Sequence, residues 1–148
     1  MGASVLLQLA GRMPERFRRI VVAGVGETLF EPPDNRVMTE AIEHGSAPDE
    51  DGRAKLFVQF SRSAGNDPAA LVALLRRPGN LPHDPADLAK VRSPTLVIVG
   101  DKDHAGSGKP LVDALPDASL VVLRNTEHFG TPKSMGFIEA ALDFLLAP

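Results

Sequence analysis

The chain has 148 residues, one domain's worth, and its 43% hydrophobic and 24% charged residues supply a packed core and exclude wholesale disorder. A net charge of −3 without a basic block, and the lack of Trp and Tyr, offer no nucleic-acid surface. The lack of Cys excludes disulfides, thiolate metal sites and a cysteine nucleophile, and fits a cytoplasmic, reducing setting.

Gly2 to Met13 reads as a helix. Val5, Leu6, Leu9, Ala10 and Met13 recur at helical spacing, and Leu7 widens the apolar face. Pro14 ends it, because the residue before a proline is pushed out of the α region. The β-branched run at Ile20 to Ala23, closed by Gly24, reads as a strand buried on both faces. From Glu27 to Leu88 prolines and glycines are frequent and strands are not evident. Asp34 is placed to cap a helix running to about His44. A second helix, begun within Asp49 to Arg53, is expected to bury Leu56, Phe57 and Phe60. Asp67 is placed to cap a third, Pro68 to Arg77, with proline at its first position. The tail returns to alternation. Thr95 to Val99 is the strongest strand, Lys109 to Leu115 a helix, and Ala118 to Leu123 a second strand. Lys133 to Leu146 is a final helix with Phe137, Ile138, Ala141, Leu142 and Leu145 inward. Strands alternating with helices imply a parallel sheet. No apolar run reaches the roughly 20 residues that span a bilayer. The expected organisation is a core helix and strand over 1–26, a helical insertion over 27–90, and a second piece of core over 91–148.

In open parallel sheets, chemistry gathers at the carboxyl ends of strands. One strand runs into Gly100-Asp101-Lys102-Asp103-His104, and the next into Arg124-Asn125-Thr126-Glu127-His128-Phe129. An acid after one strand and a histidine after its neighbour meet above the same sheet edge. A carboxylate on one imidazole nitrogen fixes the tautomer and leaves the other nitrogen as a general base. Taken singly, such an aspartate is more often a turn residue or a helix cap, and such a histidine a loop residue.

Pro94-Thr-Leu-Val-Ile-Val-Gly-Asp-Lys-Asp103 resembles the segment of α/β-hydrolases that delivers the acid of a catalytic triad: an apolar strand, a glycine, two variable positions and the acid. Glu127-His128-Phe129 resembles that family's histidine loop. Met1-Gly2-Ala3-Ser4-Val5-Leu6-Leu7, with the strand up to Gly24, is similar to the stretch directly after the family's nucleophilic serine in its G-x-S-x-G elbow. The resemblance implies an α/β chain with a partial α/β-hydrolase fold: three parallel strands, flanking helices and a helical cap insertion. It implies Asp103 as the acid, with Asp101 the runner-up, and His128 as the base. Met1 matches the residue whose backbone N–H helps form the oxyanion hole. The serine itself is expected just before Met1, so the chain alone is expected to be inactive, since loss of one triad member costs orders of magnitude in rate. Ser4, inside a helix, and Ser107, in a Gly-rich loop, are not expected to replace it. His104 is expected to be a loop residue.

The implied substrate is a small-molecule ester, thioester or related acyl compound, with no cofactor. A family member with other chemistry, such as a dehalogenase with an aspartate nucleophile or a lyase, is an alternative. So is a non-catalytic remnant that pairs with a separate N-terminal half or with itself through the edge of strand Ile20 to Ala23. Phe57, Phe60 and Phe129 are candidates for an apolar site and equally for packing. His44, His83, His104 and His128 show no metal-ligand spacing, so no metal is expected.

Overall fold

Three apolar runs pair into a parallel sheet of order β1-β2-β3, where β1 is Ile20–Ala23, β2 is Thr95–Gly100 and β3 is Ala118–Leu123. Ile20 stands opposite Thr95, and Thr95 opposite Ala118. The computed structural model describes residues 2–32, 34–77 and 82–147. The central strand is buried at every position, as its near-continuous apolar run implies. Parallel neighbours need crossovers, and side chains alternate between the two faces.

On one face, Ile20, Val22 and Val97 pack with Leu7 and Ala10 of α1 (Gly2–Arg12), Leu88 of α5 (Pro85–Leu88), and Leu111 of α6 (Lys109–Ala114). On the other, Leu96, Ile98 and Leu123 pack with Phe137, Ala140, Ala141 and Phe144 of α7 (Met135–Leu146). The result is a helix–sheet–helix sandwich. Each fully buried side chain such as Ile98 contributes roughly 1.5–3 kcal/mol. Helix α1 stops at Arg12, one residue before Met13, which precedes Pro14 and has left the helical region at φ −134°, ψ 65°.

The chain forms two compact units: Met1–Glu31 with Pro82–Pro148, and Pro32–Leu81. The second holds α2 (Arg36–His44), α3 (Gly52–Ser61) and α4 (Pro68–Leu75). Its bounds lie inside the expected 27–90 insertion because Leu29, Phe30 and Leu88 join the sheet core. Gly45 closes α2 in the left-handed conformation, at φ 70°. Asp51 caps α3 and Asp67 caps α4 by accepting main-chain N–H bonds. Asn35, not Asp34, occupies the cap of α2, while the Asp34 carboxylate accepts the Arg36 N–H.

Two helices turn a different face inward than their periodicity suggested. In α3 the buried residues are Ala54, Val58 and Ser61, with Leu56 and Phe57 half-buried and Phe60 exposed. Ala54 and Val58 pack on Ala41 of α2. In α7 the inner residues are Phe137, Ala140, Ala141 and Phe144, whereas Ile138, Leu142 and Leu145 are exposed. Both helices are apolar around much of their circumference, so spacing alone does not choose a side. In α3 the small Ala54 takes the buried position against α2, while in α7 Phe137 and Ala141 face the sheet as expected and Ala140 and Phe144 complete the inner face. Among the described residues, no helix is long and apolar enough to cross a membrane.

Candidate active site

Parallel pairing puts the carboxyl ends of β1, β2 and β3 side by side, so Gly24, the Gly100–Asp103 turn and the Arg124–His128 loop share one edge. Gly100 lets the last two meet. A Cβ there would run into the Thr126 carbonyl. Without one, the loop lies against the strand end: the Asp101 N–H donates to the Leu123 carbonyl at 3.0 Å and the Lys102 N–H to Thr126 at 3.2 Å. Asn125 turns the loop in the left-handed conformation, φ 53°, which asparagine tolerates better than most residues.

Asp103 follows, its N–H donating to the Gly100 carbonyl at 3.1 Å. Its carboxylate is fully shielded from solvent. Oδ1 accepts the Ala105 N–H at 2.8 Å, and both oxygens lie 3.0 Å from His128 Nδ1. A carboxylate only accepts, so Nδ1 carries the proton, and in the neutral imidazole Nε2 is the nitrogen with the lone pair. Burial alone pushes the Asp103 carboxyl up. The hydrogen bonds from His128 and Ala105, with the nearby imidazoles, outweigh burial and hold it below its ordinary value.

His128 is half-buried and opens a short 3-10 helix, His128–Lys133. Gly24, at φ +64°, forms the floor beneath it. A Cβ at Gly24 would stand 2.8 Å from His128 Cε1 and 3.0 Å from Nδ1. The Phe129 ring lies edge-on to the imidazole, with centroids 5.3 Å apart, and the His104 ring lies 4.4 Å away. Nδ1 of His104 is 3.8 Å from Asp103 Oδ1. Ligating atoms of Asp103, His104 and His128 all lie within 4.8 Å of one another.

The structure therefore brings Asp103 and His128 together and keeps Asp101 apart from them. Asp101 faces away, accepting the Thr126 N–H at 3.2 Å as a loop clamp. Ser107 accepts the Lys109 N–H at the start of α6. The Ser4 hydroxyl lies 2.7 Å from His83 Nε2. Met1, the expected oxyanion-hole residue, lies outside the described residues. Phe57 and Phe60 sit on α3 in the helical unit. The floor role of Gly24 and the approach of His104 were not read from the sequence. The only local hint of the second was that His104 directly follows the acid.

No protein-family model and no curated sequence matches the chain. Solved structures do. One is MGS-M2, an α/β hydrolase from a Medee basin deep-sea metagenome library, at 24% identity and TM-score 0.69, covering 97% of this chain and 62% of that one. Another is 2-hydroxy-6-oxo-6-phenylhexa-2,4-dienoate hydrolase from Rhodococcus sp. strain RHA1, at 22% identity and TM-score 0.59, covering 97% and 60%. A third is the serine hydrolase CCSP0084 from Cycloclasticus zankles, at 19% identity and TM-score 0.61, covering 100% and 63%. The chain thus spans less than two thirds of the length of these neighbours. Its parallel sheet and flanking helices are a partial α/β-hydrolase fold.

Proposed function

We propose that the chain supplies the general base and its orienting acid for serine-type hydrolysis of an ester, thioester or related acyl compound. The observation that carries this is the Asp103–His128 pair, hydrogen-bonded at 3.0 Å through Nδ1 at adjacent strand ends. As a serine oxygen attacks the acyl carbon, His128 Nε2 takes its proton. Asp103 stabilises the imidazolium, which then protonates the leaving group. Water, activated by the same nitrogen, cleaves the acyl-enzyme. The serine belongs directly before Met1, the Met1 N–H belongs to the oxyanion hole, and the helical insertion over 27–90 corresponds to the family's cap.

The reading frame upstream of Met1 tests the placement of the serine. A strand-forming run ending in Gly-x-Ser is expected; its absence overturns that placement. In a chain so completed, His128→Ala should abolish hydrolysis of a p-nitrophenyl ester, and retained turnover would sink the assignment.

A second reading draws on β1 standing at the sheet edge and on Val5, Leu9 and Met13 of α1, each more than a third exposed. In it, the chain is a non-catalytic module that pairs through this edge with a separate half or with itself. Size-exclusion chromatography separates the readings: a cooperative, strictly monomeric chain contradicts pairing.

A further inference from the structure

We propose that Asp103, His104 and His128 form a site for one divalent transition-metal ion of the zinc type, and that the bound ion disables His128 as a base. The binding claim stands on geometry alone; the claim of disabling rests on the hydrolase reading above.

His128 Nδ1 lies 3.0 Å from an Asp103 oxygen and His104 Nδ1 lies 3.8 Å from Oδ1. One ligating atom from each of Asp103, His104 and His128, a ring nitrogen or a carboxylate oxygen, lies within 4.8 Å of the other two. Ligand atoms around a tetrahedral zinc with bonds of 2.0–2.1 Å stand roughly 3.3 Å apart. The observed spacings straddle that figure, so small side-chain turns close the site. Two imidazole nitrogens and one carboxylate favour zinc, cobalt, nickel or copper over magnesium or calcium, which prefer all-oxygen shells. Three protein ligands leave a fourth position for water. The imidazoles give a way in, since the His104 and His128 side chains are 25% and 28% exposed while the carboxylate beneath them is sealed. The Ala105 N–H, 2.8 Å from Asp103 Oδ1, anchors that ligand from behind. Gly24 leaves open the space beside Nδ1 and Asp103 Oδ2 that a Cβ would enter.

Metal bound at Nδ1 replaces the proton that Asp103 now accepts. The imidazole stays neutral by carrying that proton on Nε2 instead, so no net proton is gained or lost. Nε2 then donates and has no lone pair to take a proton from a serine. His104 is what converts a base–acid pair into a metal site, because Asp103 and His128 alone supply only two ligands.

The test is calorimetric titration of the 148-residue chain with Zn2+, alongside the visible absorption of added Co2+. One ion per chain should bind below about 100 µM, and His104→Gln should weaken it by about tenfold or more. His44→Gln, on α2, should leave it unchanged. If His104→Gln disturbs the circular dichroism of the fold, the unsubstituted chain decides by NMR: Zn2+ should move the ring resonances of His104 and His128 together and leave those of His44 and His83 in place. No binding, binding indifferent to His104→Gln, or shifts confined to His44 and His83 would overturn the site. Failure here leaves the hydrolase reading standing. An active completed His128→Ala enzyme would end that reading without touching the metal site.

Discussion

Two histidines of the same unit each hold a polar side chain through one ring nitrogen, and the nitrogen used separates their roles. His128 engages a buried carboxylate through Nδ1, which leaves Nε2 as the acceptor. His83 spends Nε2 on the Ser4 hydroxyl at 2.7 Å. Its carboxylate neighbour, Asp87, is bonded to Lys90 at 2.6 Å, and among the described residues no carboxylate hydrogen-bonds the His83 ring. Burial lowers the pKa of His83, and the charge of Asp87 only partly opposes it. Ser4 lies within α1, not on a sharp strand-to-helix turn. A serine and a histidine at hydrogen-bond distance are therefore not yet a catalytic pair. In the proposed chemistry an orienting acid and a place at the strand ends are also required, and among the described residues His128 has both. His83 and Ser4 instead tie α1 to the segment before α5.

The largest expected effect breaks this contrast if it is false. In a chain completed with its nucleophile, Asp103→Asn should lower kcat/KM toward a p-nitrophenyl ester by about three to four orders of magnitude, because the amide no longer holds the reactive tautomer. Ser4→Ala should leave kcat/KM within about threefold, the scatter expected of a change away from the reacting atoms. If Ser4→Ala abolishes activity and Asp103→Asn does not, the two histidines have been assigned the wrong way round.

A smaller effect sharpens the geometry. Gly24→Ala combines a left-handed backbone at φ +64° with a Cβ at 2.8 Å from His128 Cε1, so both strain and steric overlap act. Urea unfolding should show a loss of about 1–3 kcal/mol. Gly65→Ala is the comparison, since Gly65 has φ +88° but nothing within 4 Å of the added Cβ. The excess cost at Gly24 reports the contact with His128. Equal costs would mean that His128 moves aside freely, and that Gly24 is not the floor of the site.

The meeting of Asp103 and His128 could be read from the sequence because each comes after a strand whose composition is local. Thr95–Gly100 and Ala118–Leu123 are short, largely apolar runs bounded by breakers, and a parallel sheet forces their ends together. Preference for Asp103 over Asp101 came from the resemblance to the α/β-hydrolase acid segment, in which two positions separate the glycine from the acid. The features that could not be read depend on partners distant in the chain. The inward faces of α3 and α7 hold Ala54 in the one and Ala140 and Phe144 in the other, and leave Phe60, Ile138 and Leu142 exposed, a choice of side made by the packing partners. The Ser4–His83 bond joins residues far apart in sequence, with no pattern connecting them. Gly24 looked like a strand terminator, and its role as floor exists only once the loop after β3 lies above it.

The smallest expected effect concerns pH, and the two histidine sites should enter it at different points. The folded pKa of His83 lies below its ordinary 6.5. Between those values the unfolded chain binds a proton that the folded chain refuses, so stability falls as pH drops through 6.5 toward the folded value. The folded pKa of Asp103 lies below its ordinary 3.8. Its contribution is complete above that range and is lost only as pH falls further, through the depressed folded value. Thermal midpoints tracked from pH 8 downward should therefore decline in two stages. His83→Gln removes a titrating ring, so it should flatten the stage that begins near pH 6.5 and leave the more acidic one in place. A variant curve parallel to the parent's through that first stage would show that His83 is not what the upper transition reports. The contrast between a histidine kept neutral by burial and one braced by a buried carboxylate would then lose its thermodynamic half.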